Sequence, residues 1–519
     1  MDNPCKMQKY DSFTNSRQVR IWKAEGQNAI EQSHICLLNA NTVGCEALKN
    51  TILPGIREFT VIDASVVDLK HDGSNFFVQY DQEGQSRALC TGTLLQQLNP
   101  SVEMNYQQME PEKLIEEDIE FFSRFTIVFA SKLKLNAMLR LEAFLRSKGI
   151  PLIYYNSIGF VGIIRISVPE YTTVQSQSEV PLDLRLRNPW PELIDHVRSL
   201  NVSQMDGTKR NELTYIELLI HYMLQFEALH HRKPENSDDR KVLQGMIRKD
   251  INGQASENYE EALSSYWRVF QEYKIPSNVM EVLQDEKSQF INEKSTDFWV
   301  MCHSLKCFYE EKGTLPLLGT LPDMHSNTQR YLSIKHLYNE KYLVDFAAFK
   351  IFVQRTLQSQ NRHVDDIPEV IIKRFCKNVL NIKFLRYRSI QEELESPKHL
   401  DSFLSDENSL IPWYFAFRIS EQLLSSPTQS SLEKESPVVK SLVDTLFEKY
   451  SLKQEYKKKV LKCIDELSRA SDYEVHPVSS LVGGIAAQEA IKILTKHYLP
   501  LNHTCIFDGV LSKTETFNI

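Results

Sequence analysis

The sequence lacks any apolar run long enough to cross a bilayer, which would take about 20 consecutive apolar residues. Its first residues, MDNPCKMQKYDSF, have no apolar core of the kind that a secretory signal peptide needs. We therefore expect a cytoplasmic or nuclear protein that has no membrane partner. A chain of 519 residues is too long for one ordinary domain, so we expect two or three. Hydrophobic residues make up 42% and charged residues 25%, which is the balance of a globular protein.

Paired cysteines and an excess of basic residues are also lacking. The 9 cysteines are scattered singly from Cys5 to Cys505, and none forms a CxxC pair. Neither a structural metal site nor a disulfide framework is therefore predicted. The formal net charge of -8 at pH 7 argues against a sequence-independent nucleic-acid binder.

The pattern of apolar residues predicts an α/β fold with a helical insertion. Short apolar runs alternate with helical patterns up to residue 170, which is typical of a mostly parallel sheet. Residues 171–474 show almost only the spacing of amphipathic helices, and residues 475–519 return to α/β character. We therefore predict a Rossmann-like domain formed by residues 1–170 and 475–519, with a large, mainly helical domain inserted between them.

The turn after the first predicted strand has lost most of the glycines of a dinucleotide-binding loop. In the pattern GxGxxG the glycines permit a tight turn, close approach of the phosphates, and packing of helix on strand. Here the segment is NANTVG, residues 39–44, and only Gly44, at the packing position, remains. Asn39 tolerates a left-handed turn, but the side chains of Asn41 and Thr42 occupy space where phosphates would lie.

A carboxylate at the end of the second predicted strand completes the degenerate pocket. Asp63 stands where the acid that binds a ribose belongs. Three alternatives stay open at this point: an ordinary strand–helix turn, an oxidoreductase that uses NAD or FAD, and a Rossmann-fold scaffold that binds only proteins. Loss of the central glycine disfavours the oxidoreductase.

Five segments, in order along the chain, resemble the ubiquitin-activating enzyme superfamily, and within it the regulatory-subunit family of neddylation. They are RQVRIW (17–22), VGCEALKN (43–50), SNFFVQ (74–79), GTLPDM (319–324) and GGIAAQEAIK (483–492). The resemblance implies a Rossmann-like adenylation domain and a heterodimer whose one working ATP and Mg²⁺ site lies in the catalytic partner subunit. That partner would adenylate the carboxy-terminal glycine of a Nedd/Rub-type ubiquitin-like modifier and then hold it as a thioester. The SUMO-type activating subunit is the alternative, but it lacks so long a helical insertion.

Departures from the superfamily pattern predict that this chain binds no nucleotide itself. Catalytic members carry SNLNRQ after the second strand, and here Phe77 and Val78 take the places of its Asn and Arg. Arg87 stands in place of a phosphate-facing lysine and keeps the charge but not the shape. Ser131 and Lys132 occupy the position where a metal-binding aspartate is expected.

The resemblance also implies residues that act on the partner. In the family, an arginine of the amino-terminal RQ motif reaches the partner's nucleotide, and this residue is here Arg17, which would act as an arginine finger. Contacts with the partner are also implied for the helix after GTLPDM, although core packing is the alternative there. The glycine pair near the carboxy terminus begins the segment GGIAAQ, whose small residues at helical spacing permit close approach of another helix or of a subunit; a phosphate cradle is the disfavoured alternative. These candidate interface residues are Tyr331, Ile334, Leu337, Tyr338, Gly483 and Gly484.

The cysteines offer no good candidate for a thioester. Cys302 precedes His303, but adjacent positions on a helix diverge by about 100° and do not face each other. Cys302 and Cys307 are more consistent with a helical core. We predict no catalytic residue and no thioester on this chain.

Overall fold

The computed structural model describes residues 16–174, 182–251, 256–425, 432, 436–470 and 473–519, with side chains from residue 19 onward. These residues form two compact units. The first unit comprises the described residues up to Thr173 together with Phe384–Ile519, and the second is Val174–Lys383. The passage from the first unit to the second, between Thr173 and Val174, lies close to the predicted start of the insertion at residue 171. The chain returns to the first unit at Phe384, however, whereas the sequence pattern places that return at residue 475.

Ten strands lie in the described part of the chain. They are β1 His34–Leu38, β2 Glu58–Ile62, β3 Glu103–Gln107, β4 Ile127–Ala130, β5 Leu152–Ile158, β6 Val161–Ser167, β7 Glu170–Val174, β8 Ile382–Arg386, β9 Thr504–Asp508 and β10 Lys513–Phe517. Eight of them form one sheet in the order β10-β9-β6-β5-β4-β1-β2-β3, and β7 pairs with β8 separately. Strands β3, β2, β1, β4 and β5 run parallel, and β6, β9 and β10 extend the sheet in antiparallel fashion. The predicted mostly parallel α/β sheet is confirmed.

Helices of the first unit cover this sheet. Those before the insertion are α1 Ser16–Glu31, α2 Thr42–Ile52, α3 Leu69–Asp72, α4 Arg87–Gln97, α5 Pro111–Glu117 and α6 Leu135–Lys148. Every residue of β1, β4, β5 and β6 is buried, as their continuous apolar runs require in a sheet that is covered on both faces.

The second unit is helical. Its helices are α7 Pro191–Ser199, α8 Gly207–Arg210, α9 Tyr215–His230, α10 Ser237–Asp250, α11 Glu257–Ser265, α12 Ser277–Gln284, α13 Glu286–Gln289, α14 Asp297–Lys312, α15 Thr328–Ser359 and α16 Glu369–Lys377. Apolar residues of α7, α9, α10, α11 and α15 form one core. Among the residues that the structure describes, in either unit, no helix combines the length and the apolar character that a membrane span requires.

The remaining helices return to the sheet. They are α17 Ile390–Glu395, α18 Leu400–Ser405, α19 Ile411–Leu424, α20 Pro437–Lys449, α21 Lys457–Ala470 and α22 His476–Thr495. Helices α18 to α21 share one hydrophobic core with Ile163 of β6, Ile506 of β9 and Phe517 of β10. Buried Arg165 of β6 also donates to Glu421 of α19 at 2.9 Å. This packing explains why the first unit resumes at Phe384 and not only at residue 475.

Candidate functional site

The candidate site lies at the carboxyl ends of β1, β2 and β4, where ligands bind in open α/β sheets. The chain leaves β1 through Asn39, whose φ of 66° is left-handed. The Asn39 side-chain amide donates to the backbone carbonyl of Ser131, just after β4, at 2.7 Å. The degenerate loop is therefore fastened to the neighbouring strand, and its first residue makes the turn that a glycine makes in a dinucleotide-binding loop.

Asn41 begins helix α2 and fills its amino terminus. Its Oδ1 accepts hydrogen bonds from the backbone N–H of Gly44 at 3.2 Å and from the Ser131 hydroxyl at 3.0 Å. Only 5% of Asn41 and 3% of the neighbouring Thr42 is exposed. The Thr42 hydroxyl lies 3.1 Å from that of Ser74. Side chains of this chain thus occupy the space at the helix terminus.

Gly44 has the packing role that its position predicts. A Cβ at this residue would lie 2.9 Å from Asn41 Oδ1, and 3.0 Å from both the Asn39 carbonyl oxygen and Leu37 Cδ1. Real Cβ contacts essentially never fall below 3.0 Å, so a larger residue would displace the cap or the strand. The scaffold has therefore kept its structural glycine in a loop that has lost the others.

A carboxylate that the sequence analysis missed completes the loop. Glu474, which lies two residues before the start of α22, accepts hydrogen bonds from the Asn41 side-chain amide at 2.5 Å and from the Val43 backbone N–H at 3.3 Å. It is 9% exposed. Asn41 and Glu474 are 433 residues apart. Such a separation gives no local pattern from which the contact could be predicted.

The acid at the end of β2 is already bound by an arginine. Asp63 is fully buried; its Oδ2 accepts from Arg87 Nε at 2.7 Å and from the Ala40 backbone N–H at 2.8 Å. Arg87 Nη1 also donates to Asp72 at 3.0 Å. Burial alone would lower the pKa of Arg87, but the two carboxylates outweigh it and raise that pKa above its usual value. Asp63 and Arg87, both assigned to the nucleotide pocket from sequence, are thus paired with each other.

The segment that departs from SNLNRQ closes one side of the site. Phe77 is 7% exposed and belongs to the core of the sheet unit, while its backbone N–H donates to Asn75 Oδ1 at 3.0 Å. Phe76 is 71% exposed, and its ring stacks on that of His476 with a centroid distance of 3.8 Å. The apolar side chain of Phe77 thus lies where the superfamily pattern SNLNRQ has a polar asparagine.

These residues do not fit a nucleoside triphosphate with its metal. A carboxylate already lies at the amino terminus of α2, and a negatively charged group there opposes a phosphate. The residue after β4 is Ser131, whose hydroxyl is held by Asn41. Within the described ranges, no cluster of three or more His, Cys, Asp or Glu side chains is arranged to hold a metal ion.

The structure corrects part of the interface assignment. Ile334 and Tyr338 are fully buried in the core of the second unit, so they cannot form a surface for a partner. Tyr331 and Leu337 are half-buried, and Leu337 packs against the same core.

The two glycines of the carboxy-terminal helix differ from each other. Gly483 is buried against α2: a Cβ there would lie 2.7 Å from the Ala47 backbone nitrogen and 2.8 Å from the Val43 carbonyl oxygen. It therefore permits packing within the chain and is not available to a partner. Gly484 is half-buried, and its Cβ position is 4.0 Å from Asn50 Nδ2. Arg17 lies in the first turn of α1, and its side chain is outside the described residues.

The cysteines are poor nucleophiles where the structure describes them. Burial is the largest effect on all eight described thiols and raises the pKa of each; for Cys463 the value is about 12. Cys302 is fully buried. His303 faces Cys307 instead, with 3.6 Å between Nε2 and Sγ, and Nδ1 donates to the Ser288 carbonyl. Cys5 lies outside the described residues.

Comparison with known proteins identifies the family of this scaffold. The model of the ThiF family matches residues 15–519. A NEDD8-activating enzyme E1 regulatory subunit from Xenopus laevis is 35% identical over 538 residues, which cover 99% of this chain and 99% of the relative. The subunit AXL of Arabidopsis thaliana is 33% identical over 531 residues, covering 98% and 99%, and the Drosophila melanogaster subunit is 32% identical over 528 residues, covering 99% and 98%.

These relatives do not favour the SUMO-type alternative. The similarity extends over almost the whole chain, including the helical second unit and the carboxy-terminal return to the sheet. The chain belongs to the ThiF family and, within it, to the family of NEDD8-activating enzyme E1 regulatory subunits.

Proposed function

We propose that this chain is the regulatory, non-catalytic half of a heterodimeric enzyme that activates a NEDD8-type ubiquitin-like modifier. The partner subunit binds ATP and Mg²⁺ and adenylates the carboxy-terminal glycine of the modifier. Adenylation turns that carboxylate into an acyl donor, which a cysteine of the partner then captures as a thioester. The present chain contributes its Rossmann-like unit as the second half of the adenylation assembly.

One observation carries this proposal: the chain keeps the sheet and the α2 scaffold of an adenylation domain, but its own side chains occupy the nucleotide cleft. Asn41 and Glu474 fill the amino terminus of α2, and Arg87 binds Asp63. In this proposal, the retained scaffold supports adenylation at the partner subunit's site, while this chain's own cleft does not accept ATP.

The experiment compares the isolated chain, the isolated catalytic subunit and their mixture. Each is assayed for modifier-dependent exchange of pyrophosphate into ATP, and a size-exclusion run of the mixture reports whether the two chains form a complex. We expect exchange to depend on the mixture, with no exchange by this chain alone. The mixture without modifier is the matched control. Exchange by the isolated chain would contradict the proposal, and so would a mixture no more active than the catalytic subunit.

A further inference from the structure

The group at the phosphate position of this cleft is itself an anion. In dinucleotide-binding loops, phosphates bind to backbone N–H groups at the start of the helix, where the helix dipole favours negative charge. Here the Glu474 carboxylate is in that place. One oxygen accepts from the Val43 N–H in the first turn of α2, and the other accepts from the side-chain amide of Asn41, the residue that caps the helix.

The segment that carries Glu474 is held by two other parts of the first unit. The Gly159 N–H, in the turn between β5 and β6, donates to the Tyr473 carbonyl at 2.8 Å, and Gly159 forms a β-bridge with Glu474. The ring of Tyr473 stacks on that of His71 at 5.5 Å between centroids. Two residues after Glu474, helix α22 begins at His476. Contacts with the β5–β6 turn and with His71 of α3 therefore fix where the carboxylate lies.

The same segment leads directly into helix α22, which packs on α2. His476 Nε2 lies 3.3 Å from Glu46 of α2, and the Ser480 hydroxyl donates to the same carboxylate at 3.0 Å. One turn further on, Gly483 meets the α2 backbone. The position of Glu474 is thus coupled to the α2–α22 contact that holds the carboxy-terminal part of the chain on the sheet.

We propose that Glu474 is an internal ligand that replaces the nucleotide phosphate: the loop binds a carboxylate of its own chain, and this contact closes the cleft. The loop keeps its preference for an anion, and the chain itself satisfies that preference. This inference goes beyond the proposed function, because it concerns the occupant of this chain's own site and holds with or without a partner subunit.

Chemical rescue of the full chain tests the proposal. We expect E474A to have a thermal-unfolding midpoint (Tm) several degrees below that of the wild type, because the α2 terminus and the buried Asn41 amide lose their acceptor. Acetate or inorganic phosphate should restore part of that loss in a saturable way, compared with chloride at equal ionic strength. The wild type, whose site is occupied, should show no saturable gain.

Glu489 provides a matched control. It is 3% exposed, lies on α22, and accepts hydrogen bonds from the Leu501 backbone N–H and from Lys492, but it is not at a helix amino terminus. E489A should lose stability without saturable rescue. An unchanged Tm for E474A, no rescue by either anion, or equal rescue of E489A or the wild type would overturn the proposal.

A second variant, E474Q, tests the proposal if E474A does not fold. E474Q keeps the side-chain volume and removes the charge, and we expect it to have a lower Tm than the wild type. An unchanged Tm for E474Q would then overturn the proposal. These measurements use no partner, modifier or ATP, so their failure is distinguishable from failure of the proposed function.

Discussion

The Nε–H group of Arg87 donates to Oδ2 of Asp63 at 2.7 Å, so the acid at the end of β2 is bound by a cation of the same chain. The exposed fractions of the two side chains are 16% and 1%. In a dinucleotide-binding domain an acid at this position is available to a ribose hydroxyl. Here it is part of the structural framework of the cleft, together with Asp72, to which Arg87 also donates.

Removal of Arg87 should therefore destabilise the sheet unit. We expect R87M to lower the free energy of unfolding by about 2–4 kcal/mol, because it leaves two buried carboxylates without their cation. Urea unfolding followed by circular dichroism measures the change. R87K is the control: it keeps the charge but cannot donate to both carboxylates in a fork, so its loss should be smaller. An R87M variant as stable as the wild type would show that the pair does not support the fold.

The adjacent glycines of α22 should respond in opposite ways to the same change. In G483A the new methyl would collide with the α2 backbone, and we expect a loss of about 1–3 kcal/mol of unfolding free energy. In G484A it meets nothing closer than 4.0 Å, and the better helix propensity of alanine should add about 0.5–1 kcal/mol. Denaturant unfolding of the two variants distinguishes packing within the chain from a general effect of glycine in this helix. Equal effects would contradict the assigned packing.

Local patterns predicted much of this structure. The turn at Asn39, the packing role of Gly44 and the strands beside them depend on short stretches of sequence, because backbone conformation and burial there follow from residue type and spacing. The pairing of Glu474 with Asn41 could not be predicted, since the two residues are 433 positions apart and a lone glutamate before a helix has no distinctive pattern.

Helical periodicity identifies which residues share a face but not what covers that face. Ile334 and Tyr338 have the spacing of an apolar stripe, which fits a partner surface as well as a core, and the structure buries both in the second unit. The same ambiguity explains why the sequence pattern places the return to the sheet unit at residue 475, whereas the structure has it at Phe384. The apolar face of α19 looks alike in sequence whether it packs on other helices or, as here, on strands of the sheet.

His503 should make the stability of the first unit depend on pH. Burial, and then the nearby Arg388, Arg146 and Lys398, lower its pKa to about 4, and its Nε2 accepts from the Arg388 backbone N–H at 2.6 Å. In the unfolded chain the pKa of this imidazole is about 6.5, so the unfolded chain binds a proton there more readily than the folded chain does. The stability that neutral His503 contributes is therefore fully present above about pH 6.5, and this contribution is lost as the pH falls toward 4.

H503Q tests this dependence, because its amide oxygen can still accept from the Arg388 backbone but does not titrate. Urea unfolding at pH 5 and pH 7 should show a smaller difference for H503Q than for the wild type. The exposed His336, at 72% side-chain exposure, gives the control H336Q, which should keep the wild-type difference. If H503Q shows the full wild-type difference, another group is responsible for it.

No cysteine of this chain should carry the modifier. Burial raises the pKa of all eight described thiols, so little thiolate is present near neutral pH to attack the adenylate. In a reaction of both subunits with ATP and modifier, a non-reducing gel should show the thiol-sensitive adduct on the partner alone. C307A, which removes the half-buried thiol beside His303, should leave the amount of that adduct unchanged. A reducible adduct on this chain would refute the assignment.

Arg17 should affect catalysis without affecting assembly of the heterodimer. If it reaches the partner's nucleotide as an arginine finger, it stabilises charge that develops at phosphorus during adenylation, and fingers of this kind contribute about 10³-fold or more to the rate. We expect R17A to lower modifier-dependent pyrophosphate exchange by the heterodimer at least tenfold, while the elution volume of the heterodimer stays the same. Arg20, three residues further along α1 and exposed, provides the control R20A, which should retain exchange. Equal losses in the two variants would point to general charge attraction, whereas a fully active R17A would exclude the role in trans.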